Sequence, residues 1–339
     1  MRRNGHPILT LISLALFFCG IALLQAYGSS YHHRVVNLMM IYIILTVSLN
    51  LSNGVMGISS LGQIGFMAIG AYISAILTLM PSLKGRWLPG LPHWLSGLQT
   101  GLLTAMIVAG LLAALVAFLV GVVILRLQGV FAAVATLGFL IIVKVVAENW
   151  MSVTRGGRGI SALPPYTNLW WTSAVTVVTI YVVSRIVRSP YGRSMLAVRE
   201  HDLAAQSIGI NAPRIRLLAF VVHAFFTGVA GALWANLISV VSPGSFYLWL
   251  TLLIIIMMVV GGMGSITGSV ISAAGFTLLL ELLRGFESKI AVYGISYIIF
   301  AVVFMLVIIF RPDGLMGDRE FTWKGLRRLF TRKTVPRNG

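Results

Sequence analysis

The stretch GLLTAMIVAGLLAALVAFLVGVVIL (101–125) contains 25 consecutive residues without a charged side chain. A helix that crosses the hydrocarbon core of a bilayer needs about 20 mostly apolar residues, because each residue adds about 1.5 Å along the axis. The stretch is therefore long enough to span a membrane. Since backbone polar groups in lipid must be paired within the protein, it predicts a transmembrane α-helix.

Similar apolar runs recur along the chain of 339 residues, which is 58% hydrophobic and only 10% charged and has a mean hydropathy of +0.95. These values lie far from those of soluble domains. They predict an all-α polytopic integral membrane protein with about 8–10 transmembrane helices. We expect one membrane domain over 1–339, with a basic cytoplasmic tail at 311–339. The predicted spans are 8–26, 36–52, 61–80, 101–125, 128–147, 168–187, 215–239, 246–260, 266–283 and 290–310.

The first span follows Arg2 and Arg3 and has the shape of a signal peptide. Cys19 invites a lipoprotein interpretation, but Phe17 and Phe18 are too bulky for a processing site directly before it. We therefore expect an uncleaved span. Because Cys19 is the only cysteine, the sequence predicts neither a disulfide framework nor a thiolate metal site.

Basic residues predict the orientation of the chain. With ten spans, 17 of the 25 arginines and lysines fall on the face that carries both termini, and 8 fall on the other. Cytoplasmic loops carry the excess of basic residues, so we expect both termini in the cytoplasm. The net charge of +17 then reflects membrane topology, and we expect no nucleic-acid binding.

Two apolar segments, 46–72 and 259–270, are interrupted by glycines and polar residues. Unpaired backbone at membrane depth survives only where it is buried in protein or lines a wet cavity. The segments are either short cytoplasmic loops, whose polar side chains satisfy helix ends, or broken helices that line a pathway. On the second interpretation the pathway residues are Asn50, Asn53, Ser59, Ser60, Gln63, Ser265 and Thr267.

The two segments share the fragments GVMG (54–57) and GGMG (261–264). The likeness hints at an internal repeat, although four small residues carry little weight.

A charged stretch, PYGRSMLAVREHDLAAQSIGINAPRIR (190–216), lies between two strongly apolar runs. Its residues predict a turn near Pro190, a cytoplasmic helix over 194–208 and a left-handed stop at Gly209. On that helix Arg199 would pair with Asp202 at i, i+3.

Two adjacent alanines in this helix, Ala204 and Ala205, would let another backbone approach closely. This pattern is typical of a helix that binds to a partner protein. A solvated connecting helix, whose charges only mark the cytoplasmic side, fits it as well.

The run REHDLAAQSIGIN (199–211) resembles the coupling-loop motif of ABC importer permeases, in which an acidic residue, two alanines and a downstream glycine recur. Asp202, Ala204, Ala205 and Gly209 stand in those places, although the first is often glutamate. Seven blocks in order are together similar to the second-permease subunit of the branched-chain amino acid ABC importers. These blocks are 48–72, 125–150, 154–160, 210–235, 242–246, 259–284 and 310–317.

The resemblance implies a permease of the bacterial inner membrane that translocates leucine, isoleucine and valine. Its implied partners are a homologous second permease, two cytoplasmic ABC ATPases, a periplasmic or extracellular solute-binding protein, a small polar solute and the lipid bilayer. The implied ATPase-coupling residues are Arg199, Asp202, Ala204, Ala205 and Gly209. Gln63 stands where the family commonly shows histidine, and His223 where it often shows a small residue. These departures leave the substrate open, because the same permease type imports urea, small amides or other amino acids.

The chain contains no G-x-x-x-x-G-K-[ST] motif, and none of its five lysines follows a glycine. We therefore expect no cofactor on this chain and no enzyme activity, with ATP hydrolysed by partner subunits. An ion-coupled carrier would need an ionisable residue near the bilayer midplane. Lys144, Glu148 and Glu281 fall near span ends instead, and the first two can pair at i, i+4. An ATP-independent channel or facilitator stays open as an alternative.

Overall fold

The computed structural model describes residues 7–127, 129–290, 294–311 and 314–317. These residues are helical almost throughout and contain no β-strand; one isolated antiparallel bridge joins Ile160 to Val241. The predicted all-α fold class is confirmed.

Fifteen α-helices are present in the described part of the chain. They are α1 (Pro7–Tyr27), α2 (Ser30–Leu49), α3 (Gln63–Thr78), α4 (Pro81–Trp87), α5 (His93–Ser96), α6 (Leu102–Ile124), α7 (Val130–Asn149), α8 (Met151–Thr154), α9 (Leu169–Arg188), α10 (Pro190–Glu200), α11 (Asp202–Ser207), α12 (Ala212–Ile238), α13 (Leu248–Gly261), α14 (Ile266–Ile290) and α15 (Ile295–Phe310).

Each of the ten predicted spans corresponds to one of these helices. Among the described residues, seven helical segments are long and apolar enough to cross a membrane, and an eighth is gained if α3 and α4, bent by 118°, form one span. The apolar helices Ala15–Tyr27 and Ile298–Phe310 are shorter. The chain is therefore a multi-pass membrane protein, as predicted.

The centre of the bundle is α12, which packs against α3, α6 and α2. Its crossing with α3 is very close: a Cβ added to Gly70 would lie 2.1 Å from the carbonyl oxygen of Gly228, and one added to Gly231 would lie 2.1 Å from that of Met67. Lipid provides no hydrophobic force between helices, so close packing through small residues stabilises such a crossing. These glycines bring the backbones of α3 and α12 together.

The ends of the helices gather into two groups. One group, which we call the basic end, comprises 54–59, 125–127, 190–216, 260–265 and 314–317, which contact one another through backbone bonds, ion pairs and a shared cavity.

The other group, the opposite end, comprises 80–100, 150–168 and 239–247. There the backbone N–H of Gly90 donates to Ser152 (3.0 Å), and the guanidinium of Arg155 lies 4.0 Å from the ring centre of Trp87. Lys144 and Glu148 pair at 3.5 Å, as predicted.

The single helix predicted over 194–208 is wrong, because the chain forms α10 and α11 with a break at His201. Pro190 is not in a turn but occupies the first position of α10, where its missing N–H costs nothing, and Ser189 caps that helix. His201 is extended (φ −155°, ψ 104°), and its ring accepts from the N–H of Ala204 at 3.4 Å to cap α11. Gly209, at φ +86°, ends α11 as predicted.

Candidate functional site

The cytoplasmic-loop and broken-helix interpretations both concern the end of α2, which continues into a π-helical turn, Asn50–Val55. The N–H of Met56 bonds to the carbonyl of Leu51 at 3.2 Å, in the i to i−5 pattern. All six residues of the turn are buried. Such turns are rare and occur frequently at functional sites. After it, residues 57–62 leave helical geometry before α3 begins, and 262–265 likewise separate α13 from α14. Both predicted breaks are therefore present.

Asn50 connects the two breaks. Its amide nitrogen donates to the carbonyl of Ser265 and the hydroxyl of Ser269, both at 2.8 Å, and its oxygen accepts from the N–H of Gly264 at 2.8 Å. A Cβ added to Gly54 would lie 2.7 Å from that same nitrogen. The fragments GVMG and GGMG therefore lie against each other, a proximity that their separation in sequence did not reveal.

Asn53 holds the non-helical residues after the π turn. Its amide nitrogen donates to the carbonyl of Ser60 at 2.9 Å, and its oxygen lies 3.1 Å from the hydroxyl of Ser52. Ser60 is buried, and its own hydroxyl accepts from the N–H of Gly62 at 3.4 Å. Ser59, in contrast, is exposed at the basic end.

Ser265 and Thr267 lie at the start of α14. Their hydroxyls are 3.2 Å apart, and the hydroxyl of Ser265 accepts from the N–H of Gly268 at 3.0 Å, as a helix cap does. Asn50, Asn53 and Ser265 therefore satisfy backbone groups at helix ends in this conformation, while their role in a pathway stays a prediction.

Gln63 and His223 are fully buried and each has one polar atom that lacks a partner among the described residues. The amide nitrogen of Gln63 donates to the carbonyl of Leu45 at 2.7 Å, but its oxygen is unpaired. Nδ1 of His223 lies 3.2 Å from the hydroxyl of Ser52, and Nε2 is unpaired. Buried polar atoms normally have hydrogen-bond partners. In another conformation of the protein, these two unpaired atoms are available to bond to water or to a solute.

Sequence reasoning did not include Ser52, Ser269 or His223 among the site residues. A lone histidine in an apolar run was the available signal for His223. The two serines gave none, because their contacts lie on other helices.

The coupling segment, residues 190–209, is attached to the bundle by two charged contacts. Nη1 of Arg199 donates to the carbonyl of Gly54 at 2.7 Å, and Asp202 pairs with Arg216 at 3.0 Å. The predicted pairing of Arg199 with Asp202 is wrong, because the break at His201 removes their helical spacing. The first contact is made to the π turn, and the second to the first turns of α12.

The two alanines of α11 face different ways. Ala205 is buried against the chain itself, with 2% of its surface exposed, whereas Ala204 and Gly209 are exposed. Leu203 of α11 (72% exposed) and Ile208, which follows that helix (75% exposed), add large exposed apolar side chains to this segment. Sequence reasoning missed these two, although exposed apolar residues on a polar extramembrane helix indicate a contact surface.

A cavity of about 240 Å³ lies between this segment and the bundle. Arg199, Asp202 and Arg216 line it together with Gly57 and Ser59. A Cβ added to Gly57, whose φ is +76°, would lie 3.0 Å from Cγ of Arg199, so only glycine fits there without strain.

The described residues contain no group of three or more His, Cys, Asp or Glu side chains that could hold a metal ion.

The family model described as "Branched-chain amino acid transport system / permease component" matches residues 32–310. The chain belongs to this permease family. The family predicted from the seven sequence blocks is thereby confirmed, and so is the prediction of a transport permease.

Two relatives of this permease are similar over most of its length. It is 32% identical over 315 residues to the high-affinity branched-chain amino acid transport system permease protein LivM of Salmonella typhimurium, which covers 82% of this chain and 68% of the relative. Against LivM of Escherichia coli (strain K12) it is 33% identical over 316 residues, covering 83% and 69%.

A differently named permease is more distantly similar. The permease protein LivH of Escherichia coli (strain K12) is 26% identical over 196 residues, or 52% of this chain and 62% of the relative. No solved structure matches the chain.

Proposed function

We propose that the chain is one permease subunit of an ABC importer that carries leucine, isoleucine and valine. The observation that carries the proposal is the coupling segment, which exposes Leu203, Ala204 and Ile208 and is attached to the bundle by Arg199 of α10 and Asp202 of α11. A partner that binds the coupling segment and moves it would therefore move the membrane helices through these two contacts. The names of the LivM relatives support the substrate.

The proposed complex contains a second, homologous permease, two ABC ATPases and a solute-binding protein. The similarity to LivH supports two related permeases in one importer. ATP would bind only to the ATPases, since no phosphate-binding motif occurs in this chain. The ATPases would contact the basic end, and the binding protein would deliver solute at the opposite end.

The proposed location is the bacterial inner membrane, with both termini and the basic end in the cytoplasm. The arginines of 185–216 support this orientation. The predicted single domain over 1–339 and the basic tail at 311–339 remain proposals, and 312–313 and 318–339 lie outside the described residues.

In the proposed cycle, closure of the ATPases moves α10 and α11 relative to the bundle. Arg199 passes the movement to the end of α2, and Asp202 passes it to α12 through Arg216. The bundle would then switch between two packings that open the pathway to one side or the other. Hydrolysis shifts this equilibrium only because the two packings differ in their contacts with the ATPases.

The proposed pathway runs beside the two helix breaks. Asn50, Asn53, Ser59, Ser60, Gln63, Ser265 and Thr267 would border it in its open form. The unpaired atoms of Gln63 and His223 support this proposal, since they lie on α3 and α12, two helices that pack against each other. The alternative, that these side chains only satisfy helix ends, has its own support in the bonds of Asn50 and Asn53.

Uptake into vesicles tests the proposed function. The chain is reconstituted with its second permease and ATPases, and the uptake of labelled leucine is measured with ATP and a leucine-loaded binding protein. We expect uptake that needs both, and none with an ATPase that binds ATP but cannot hydrolyse it.

Two results would contradict the proposal. Leucine uptake without ATP would indicate a channel or facilitator, and ATP-dependent uptake of urea but not leucine would overturn the substrate.

A further inference from the structure

The π turn Asn50–Val55 is held at both of its edges by side chains or backbone of other elements. At the end of the turn, the carbonyl of Gly54 accepts from Arg199 of α10 at 2.7 Å. At its start, Asn50 makes three bonds of 2.8 Å to the break between α13 and α14 and to α14 itself. Between these two sets of contacts, the hydroxyl of Ser52 lies 3.2 Å from Nδ1 of His223 on α12.

The contacts are tight as well as polar. A Cβ added to Gly54 would lie 1.7 Å from Oδ1 of Asn50 and 2.7 Å from the nitrogen of Gly264. All six residues of the turn are buried. The turn therefore cannot shift without moving either the side chain of Asn50 or the backbone at Gly264.

A π turn also offers a discrete way to move. Its bonds join residues five apart, whereas an α-helix joins residues four apart, so conversion to α geometry shifts the register by one residue. That shift displaces the chain on one side of the turn by about 1.5 Å and rotates it by about 100°. Two packed arrangements of this kind can amplify a small displacement at one edge.

We infer that the π turn is a coupling switch and that Asn50 is a positioning residue in it: movement of α10 reaches the α13–α14 break through Arg199, Gly54 and Asn50. The inference rests on the proposed function, and it adds a role in energy coupling to the proposed place of Asn50 beside the pathway. It places the connection in the turn that follows α2, where the two helix breaks meet.

The test measures ATP hydrolysed per leucine taken up by the complete reconstituted complex. The variants Arg199→Met and Asn50→Leu each remove one edge of the switch. We expect each to raise this ratio about fivefold or more, the low end of coupling between linked sites. If both act through one switch, the double variant raises the ratio no further than the single variants do. Arg199→Lys, which keeps a donor for Gly54, restores most of the coupling.

Asn37→Leu provides the matched control. Asn37 is buried on the same helix and accepts from the hydroxyl of Thr172 at 2.6 Å, but it lies near the other end of α2. We expect its ratio to stay at the wild-type value, and the double variant with Arg199→Met to show the ratio of Arg199→Met alone.

Ser269→Ala guards against a variant of Asn50 that fails to assemble, because it removes only one of the three bonds of Asn50. We expect a smaller rise of the ratio in the same direction. Equal ratios for Asn50→Leu and Asn37→Leu, or for Ser269→Ala and wild type, would overturn the inference while leaving ATP-driven uptake by the wild type intact. Absence of that uptake would instead overturn the proposed function.

Discussion

Gln63 separates the two interpretations of the polar residues near the helix breaks. Its nitrogen bonds to the carbonyl of Leu45, while its oxygen is buried and unpaired. A residue that only satisfies a helix end contributes about 0.5–1.5 kcal/mol through its hydrogen bond. A pathway residue would in addition contact the solute or its water.

We expect Gln63→Leu to lower the initial rate of leucine uptake about tenfold, because an apolar side chain offers no polar contact to the zwitterion, while the free energy of unfolding falls by only about 1 kcal/mol. The control is Thr176→Val, which removes a buried bond of 3.3 Å to the carbonyl of Met40. Uptake and thermal unfolding are measured on the same preparations. Equal uptake by both variants would favour the helix-end interpretation.

At the scale of one element, α11 has an outer side that faces away from the bundle. Ala204 is exposed there, whereas Ala205 is buried against the chain. Substitution of Ala205 would therefore disturb the protein's own packing, and Ala204 is the cleaner probe of a partner.

We expect Ala204→Trp to prevent stable binding of the ATPase, because a large ring on α11 would hold the two surfaces apart. Tyr191→Trp on α10, which is also exposed, is the control and should bind normally. Co-purification of the ATPase with each tagged permease measures the effect. Normal binding by Ala204→Trp would show that α11 does not form the contact.

A second element, α12, depends on glycine for its packing. A Cβ on Gly228 would lie 2.6 Å from that of Ala113 and 2.9 Å from the carbonyl of Ala109. We expect Gly228→Ala to cost about 1–3 kcal/mol of stability, the usual cost of overpacking.

Gly138 on α7 provides the comparison for this prediction, because nothing lies within 4 Å of the Cβ that alanine would add. Gly138→Ala should be neutral or stabilise the helix by about 0.5–1 kcal/mol. Thermal unfolding in detergent compares the two variants, and equal transition temperatures would contradict the packing described for α12.

At the scale of the whole molecule, the proposed orientation puts the basic end and the opposite end on different faces of the membrane. Cys19 is the only cysteine, so Cys19→Ser gives a background for labelling. Gly157, at the opposite end, and Gln206, at the basic end, are both exposed. In intact cells, we expect a membrane-impermeant maleimide to label Gly157→Cys but to reach Gln206→Cys only after permeabilisation. The reverse pattern would contradict the orientation.

The sequence by itself determined the fold class, the positions of the apolar helices and the family, because apolar runs of about 20 residues need no distant partner to become membrane helices. It also identified the helix stop at Gly209, which depends on local backbone geometry. It misplaced the start of α10 and missed the break at His201, where a cap by the histidine ring competes with continued helix.

Only the tertiary structure decided which polar residues meet. Asn50 and Ser265 are 215 residues apart, and Arg199 and Gly54 are 145 apart, so neither contact leaves a pattern in the local sequence. Such contacts depend on how α2, α10 and α14 pack, and in a membrane that packing follows from the shape of small residues rather than from hydrophobic periodicity. The physical reason is that lipid and protein interior are both apolar. An apolar run in the sequence therefore predicts a membrane helix, but it does not predict which other helices that helix packs against.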